Sequence, residues 1–228
     1  MRQTKIICTI GPACNNKETI LKMIDAGMNV ARFNMSHGDY GELEKTFATV
    51  KEAIAESGKN VALLLDTKGP EVRIGHIDGG KTEIVEGQDF TLFRDEVVGN
   101  NEGASISYPK LIKKLMKYNK AKGLKLLLDD GKISMQIKKV LDDRIVCKVL
   151  VGGELGSRKS INIPDYNIDM PYVSKKDRED IDFGIKMGIN VIAASFVRNG
   201  DDVRTLRDYA ESIGGDHSGI ISKMECQS

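Results

Sequence analysis

Apolar residues in the first seventy positions alternate between two periods. Residues 5–10 form a β-branched run ended by Gly11-Pro12, which predicts a strand. Asn15 or Asn16 then caps a helix to about residue 26, with Ile20, Leu21 and Ile24 on one face and Gly27 at the left-handed cap position. A second strand is expected over about 28–33. Tyr40, Leu43, Phe47, Val50 and Ile54 follow at helical spacing, and Gly58 stops that helix. Val61–Asp66 reads as a third strand, buried on both faces. The unit is βαβαβ, which calls for a parallel sheet.

The pattern changes after Pro70. Over 71–170 short strand-like runs such as Thr82–Val85, Phe90–Phe93 and Ile145–Val149 are separated by Gly, Asn and Asp, with one short helix at about 109–118. This predicts a small antiparallel β domain inserted into the α/β unit. Gly79-Gly80 and Gly152-Gly153 read as β turns rather than phosphate loops. Near Ser174 the α/β pattern returns. Ser174 and Asp177 form a capping-box pair for a helix to about Met187, ended by Gly188; a strand over 190–197, a helix over about 201–212 and a strand over 219–225 follow. The expected division is 1–70 (barrel domain, first part), 71–170 (inserted β domain, acting as a lid hinged near Gly69-Pro70 and Asp169-Met170-Pro171) and 171–228 (barrel domain, second part).

Composition narrows the function classes. The chain has 228 residues, 40% hydrophobic and 29% charged, with a net charge of +1 and no block of like charge. That argues against nucleic-acid or membrane-surface binding by bulk electrostatics, and a cytoplasmic location is expected. Cys8, Cys14, Cys147 and Cys226 have no metal-ligand spacing and read as reduced thiols. There is no Walker A or dinucleotide glycine motif.

Strand ends carry the candidate chemistry, because an α/β fold works from the C-terminal ends of its strands. Ala31-Arg32-Phe33-Asn34-Met35-Ser36-His37-Gly38 places arginine, amide, hydroxyl and imidazole together, and Asp66-Thr67-Lys68-Gly69-Pro70-Glu71-Val72-Arg73 places an acid and a hydroxyl before a turn and an arginine. Asn34, Ser36, Asp66 and Thr67 offer hard oxygens suited to a cation; the same residue types also make ordinary caps and turns. Arg32 could grip a carboxylate or phosphate by a bidentate fork. Lys223 and Glu225, two apart on the expected last strand, point to one face. They could serve phosphoryl transfer, or form a plain surface ion pair.

These two segments resemble the active-site segments of the pyruvate kinase family. So do Thr4–Ala13, Leu128–Ile133, Arg158–Pro164 and Ala193–Arg198, in order, over about residues 4–225. The resemblance implies an α/β fold: an incomplete (β/α)8 TIM barrel, its first five strands, with an inserted small antiparallel β-barrel domain. It implies phosphoryl transfer from phosphoenolpyruvate to ADP, giving pyruvate and ATP in glycolysis, with Mg2+ (or Mn2+) and K+ as cofactors. By position, Lys223 is the catalytic lysine, Arg32 the phosphoenolpyruvate contact, and His37, Arg73 and Lys159 the nucleotide contacts. Asn34, Ser36, Asp66 and Thr67 are potassium ligands, and Glu225 holds the divalent ion. Family members form homo-oligomers, typically tetramers. The usual Lys-Ile-Glu-Asn-Gln-Glu-Gly run is here Lys223-Met224-Glu225-Cys226-Gln227-Ser228. The count of five α/β strands, against the eight of a closed barrel, leads us to expect a polypeptide equivalent to the family's N-terminal portion, without turnover by itself. Two alternatives stay open: an inactive fragment or interaction module of the same family, and a Schiff-base aldolase with Lys223 as nucleophile.

Overall fold

A computed structural model describes residues 3–36, 39–166 and 168–225. The chain opens with β1 (Ile7–Thr9), α1 (Lys17–Asp25), β2 (Val30–Asn34), α2 (Tyr40–Ser57) and β3 (Ala62–Asp66). It continues through β4 (Val72–Arg73), β5 (Lys81–Ile84), β6 (Asp89–Phe93), β7 (Gly103–Ser105), α3 (Lys110–Lys117), β8 (Lys125–Leu128), β9 (Ile133–Val140), β10 (Arg144–Val151), β11 (Gly153–Gly156) and β12 (Ser160–Asn162). It ends with α4 (Lys175–Lys186), β13 (Val191–Ala194), α5 (Gly200–Ser212) and β14 (Gly219–Ser222). Packing divides it into two compact units, Met1–Pro70 with Pro171–Ser228, and Glu71–Met170.

The first unit holds a five-stranded parallel sheet in the order β1-β2-β3-β13-β14. Each strand of this unit lies beside the one before it in the chain. A doubly wound sheet would reverse direction at a switch point; steady progression is how a (β/α)8 barrel grows. Local chemistry sets the helices. Asn16 accepts from the Thr19 amide at 3.0 Å, Ser174 and Asp177 complete the capping box, and Asn199 accepts from the amides of Asp201 and Asp202. Gly58 and Gly188 end α2 and α4 at φ 62° and 68°, where a Cβ would be strained. The core joins Phe33 of β2, stacked on Phe47 of α2 with centroids 3.6 Å apart, to Phe183 of α4. On β3, Leu63, Leu64 and Leu65 are all buried, as a strand covered on both faces requires.

The second unit contains a seven-stranded sheet, β4-β12-β8-β9-β10-β6-β7, and the β5–β11 pair. Its core includes Phe90, Leu92, Leu126, Ile133 and Ile145, with Leu111, Ile112 and Leu115 of α3. The sheet departs from the purely antiparallel expectation: β6 and β7 are parallel, pairing Thr91 with Gly103 and Phe93 with Ser105. The loop 94–102 carries the chain back, and the Thr91 amide donates to the Glu102 carbonyl, so β7 starts alongside the strand it follows.

The last two strands of the first unit stop earlier than expected. The run 190–197 is a strand only over Val191–Ala194, and 219–225 only over Gly219–Ser222. The cause is shared: Phe196 turns into the left-handed region at φ 55°, so β14 loses its ladder partner beyond Ala194. Lys223 and Glu225 therefore follow the strand instead of lying on it. Among the described residues no helix is long and apolar enough to cross a membrane.

Candidate functional site

Asp66 is the junction of the strand ends in the first unit. Its side chain is only 3% exposed, and it is held by groups from three other strand ends. Arg32, from β2, donates through Nε to Oδ2 at 2.7 Å and pairs with the same oxygen through Nη2. The Arg32 Nη1 donates to Thr9 Oγ1 at 2.6 Å, and Thr9 is the register partner of Arg32 across β1 and β2. Lys223, just past β14, reaches Asp66 Oδ1 at 3.0 Å. Ser195, just past β13, has its hydroxyl 3.2 Å from the same oxygen. A buried carboxylate needs this much compensation, since desolvation alone is strongly unfavourable.

Glu225 joins through Lys223, 3.4 Å away, so the two side chains do share a side although they lie beyond the strand. Glu225 Oε2 also accepts from the Phe196 amide at 3.1 Å. Among the described residues no three His, Cys, Asp or Glu side chains cluster as a metal cage. Glu225 is partly exposed. A single accessible carboxylate fits Mg2+, which keeps water and takes substrate oxygens alongside one or two carboxylates.

The oxygen set for a monovalent ion is only partly drawn together. Asn34 and Asp66 are register partners on β2 and β3, hence on one face. Asn34 Oδ1 accepts from the Ser36 amide at 3.0 Å, closing a turn. Thr67 is buried, its hydroxyl donating to the Ala193 carbonyl at 3.3 Å and accepting from the Ser195 amide at 3.2 Å; its own carbonyl accepts from the Ser195 hydroxyl at 2.5 Å. One carboxylate among neutral oxygens suits a monovalent cation in type, although Asp66 already faces two cationic side chains. His37 lies outside the described residues.

The remaining candidates belong to the second unit. Arg73 Nε donates to Glu71 at 2.6 Å and Nη1 to the Arg158 carbonyl at 3.0 Å. Lys159 pairs with Asp129 at 2.9 Å, and Lys132 pairs with the other oxygen of Asp129 at 3.0 Å. The hydrogen bond from Lys159, aided by Lys132, holds the Asp129 carboxyl below its usual range. Asp129 and Asp130 both adopt left-handed backbone, at φ 48° and 55°, and Ser160 fixes the Asp130 side chain at 3.0 Å. Lys159, Asp129 and Lys132 line a cleft with Lys81, Glu154 and Gly156.

Thr9, Ser195 and Asp129 stood in the noted segments without an assigned role. A hydroxyl at a strand end was the available signal for the first two, and an acid before a glycine turn for the third.

A family model described as pyruvate kinase, barrel domain, matches residues 1–228. The chain is 43% identical over 226 residues to a pyruvate kinase of Geobacillus stearothermophilus, covering 98% of this chain and 38% of that protein. Pyruvate kinases of Staphylococcus saprophyticus and Sporosarcina psychrophila are each 42% identical over 229 residues, covering 100% of this chain and 38% of theirs. The chain thus spans under two fifths of the length of these relatives.

Proposed function

We propose, for a chain that belongs to the pyruvate kinase family, that it provides the strand ends that bind phosphoenolpyruvate and stabilise the phosphoryl group moving to ADP. The carrying observation is the convergence of Arg32 and Lys223 on the buried carboxylate of Asp66, with Glu225 beside Lys223. In the reaction the P–O bond to the enol oxygen breaks while a terminal phosphate oxygen of ADP forms the new one. The enolate left behind takes a proton at its methylene carbon to give pyruvate. Lys223 supplies positive charge against the equatorial oxygens, where charge is spread in the transition state. Arg32 presents a planar fork to the substrate's anionic groups. Asp66 fixes both cations before substrate arrives, so little reorganisation is left for the reaction.

Glu225 would hold Mg2+ or Mn2+, and Asn34, Ser36, Asp66 and Thr67 would hold K+. When bound, these ions supply Lewis-acid polarisation and charge neutralisation at the phosphoryl oxygens. Arg73, Lys159 and His37 would face nucleotide phosphates, with residues 71–170, read as the family's small β-barrel, acting as a lid. A Schiff-base lysine is activated by apolar or cationic surroundings; Lys223 has two carboxylates instead, which disfavours the aldolase reading.

Binding tests the proposal directly. Phosphoenolpyruvate titrated into the chain with MgCl2 and KCl, followed by phosphorus NMR, should show saturable binding. Arg32→Ala should weaken it by about tenfold or more, the loss expected of a charged bidentate contact. Equal binding by the variant, or none by the wild type, would overturn the reading.

A further inference from the structure

Ser195 occupies a position that neither ion site claims and both adjoin. It is 2% exposed, at the end of β13. Its amide donates to Thr67 Oγ1 at 3.2 Å and its carbonyl accepts from the Tyr172 hydroxyl at 3.0 Å. Its hydroxyl has two acceptors, the Thr67 carbonyl at 2.5 Å and Asp66 Oδ1 at 3.2 Å. A serine hydroxyl has one proton to donate. The backbone around it is equally committed. Gly69 passes so close at φ 69° that a Cβ there would stand 2.8 Å from the Ser195 carbonyl oxygen. The next residue, Phe196, is held at φ 55°, an uncommon conformation for a bulky side chain, and its amide points at the Glu225 carboxylate.

We infer that Ser195 is a positioning residue that couples the monovalent site to the divalent site. The inference rests on the ion sites proposed above. A cation drawing on the Thr67 carbonyl competes with the Ser195 proton for that oxygen, and the proton then turns to Asp66 Oδ1. The Ser195 amide is itself tied to Thr67 Oγ1, so the change at Thr67 carries the Ser195–Phe196 peptide with it. The shift is read at once by Glu225, whose carboxylate accepts from the Phe196 amide. Occupancy of the first site thereby sets the pose of the divalent ligand, and by linkage the reverse holds.

The test is an amide NMR titration of the whole 228-residue chain with MgCl2, in KCl and in tetramethylammonium chloride at equal ionic strength. In the wild type the Phe196 amide should report a Mg2+ dissociation constant about fivefold or more tighter in KCl, the lower end of ordinary coupling between sites. In Ser195→Ala the Mg2+ response at Phe196 should persist while the ratio between the two salts falls to about one. A wild-type ratio of one, or an unchanged ratio in Ser195→Ala, overturns the coupling. If the alanine variant does not fold, Ser195→Cys, nearly the same size with a weaker donor, should lower the ratio, and a full wild-type ratio in it overturns the proposal. A wild type with no response to either ion near Asp66 and Glu225 removes the ion sites themselves, a different failure from the loss of coupling between working sites.

Discussion

Asp66→Asn isolates what the central carboxylate does for the fold. The amide keeps the shape of the side chain but removes its charge and replaces one acceptor oxygen with a donor. Asp66 receives Arg32 on one oxygen, and Lys223 with Ser195 on the other. Whichever way the amide turns, its NH2 faces one of the two cations. A hydrogen bond to a charged group contributes about 1.5–3 kcal/mol, and breaking a fully buried ion pair costs about 3–5 kcal/mol. Arg32 and Lys223 are 32% and 30% exposed, so water recovers part of that loss. The expected destabilisation is about 2 kcal/mol. Urea unfolding followed by far-UV circular dichroism is a suitable assay, because α1, α2, α4 and α5 all belong to the unit containing Asp66. A change below about 0.5 kcal/mol, the ordinary range for surface substitutions, would show that the three groups are neighbours without energetic consequence.

Two further outcomes are expected. Gly184→Ala on α4 would place a Cβ 2.3 Å from Leu65 Cδ1 and 3.1 Å from Ile189 Cδ1; despite alanine's better helix propensity it should destabilise the chain by about 1–3 kcal/mol, and a stabilised variant would refute the packing there. Because Lys159, with Lys132, depresses the Asp129 carboxyl, the stability from that pairing is present above the unfolded carboxylate range and lost as pH falls through the depressed value. The urea midpoints of wild type and Lys159→Met should therefore differ at neutral pH and converge in acid, and a pH-independent difference would count against the pairing.

What could be read from the sequence follows the range over which each feature is decided. The helices were legible because their signals are local: Asn16, the Ser174–Asp177 pair and Gly58 act within a few residues, and Phe47 and Val50 repeat on one face. The parallel β6–β7 pair was not, since Thr91 and Gly103 carry no mark of which edge they share. The end of β14 depends on Phe196, whose turn removes the partner strand. Arg32, Asp66 and Lys223 could each be picked out by residue type at a strand end. That the two cations meet on one buried carboxylate, with Ser195 beneath them, is a matter of register between strands far apart in the chain.

That separation bears on how the protein comes to be folded. The Leu63 amide reaches the Asn190 side chain across 127 residues, where β3 begins to pair with β13. Closing a flexible loop of that length costs roughly 4 kcal/mol in chain entropy beyond a constant. The cost falls if residues 71–170 have already compacted, because less of the loop is then free. A polypeptide emerging from the ribosome has made Thr9, Arg32 and Asp66 long before Ser195 and Lys223 exist. During that interval Asp66 lacks Lys223 and Ser195, and an early β1-β2-β3 sheet presents the apolar edge of β3 to its surroundings. Substitutions that slow compaction of residues 71–170 should therefore lengthen the time that edge is exposed, and raise the risk of association during synthesis.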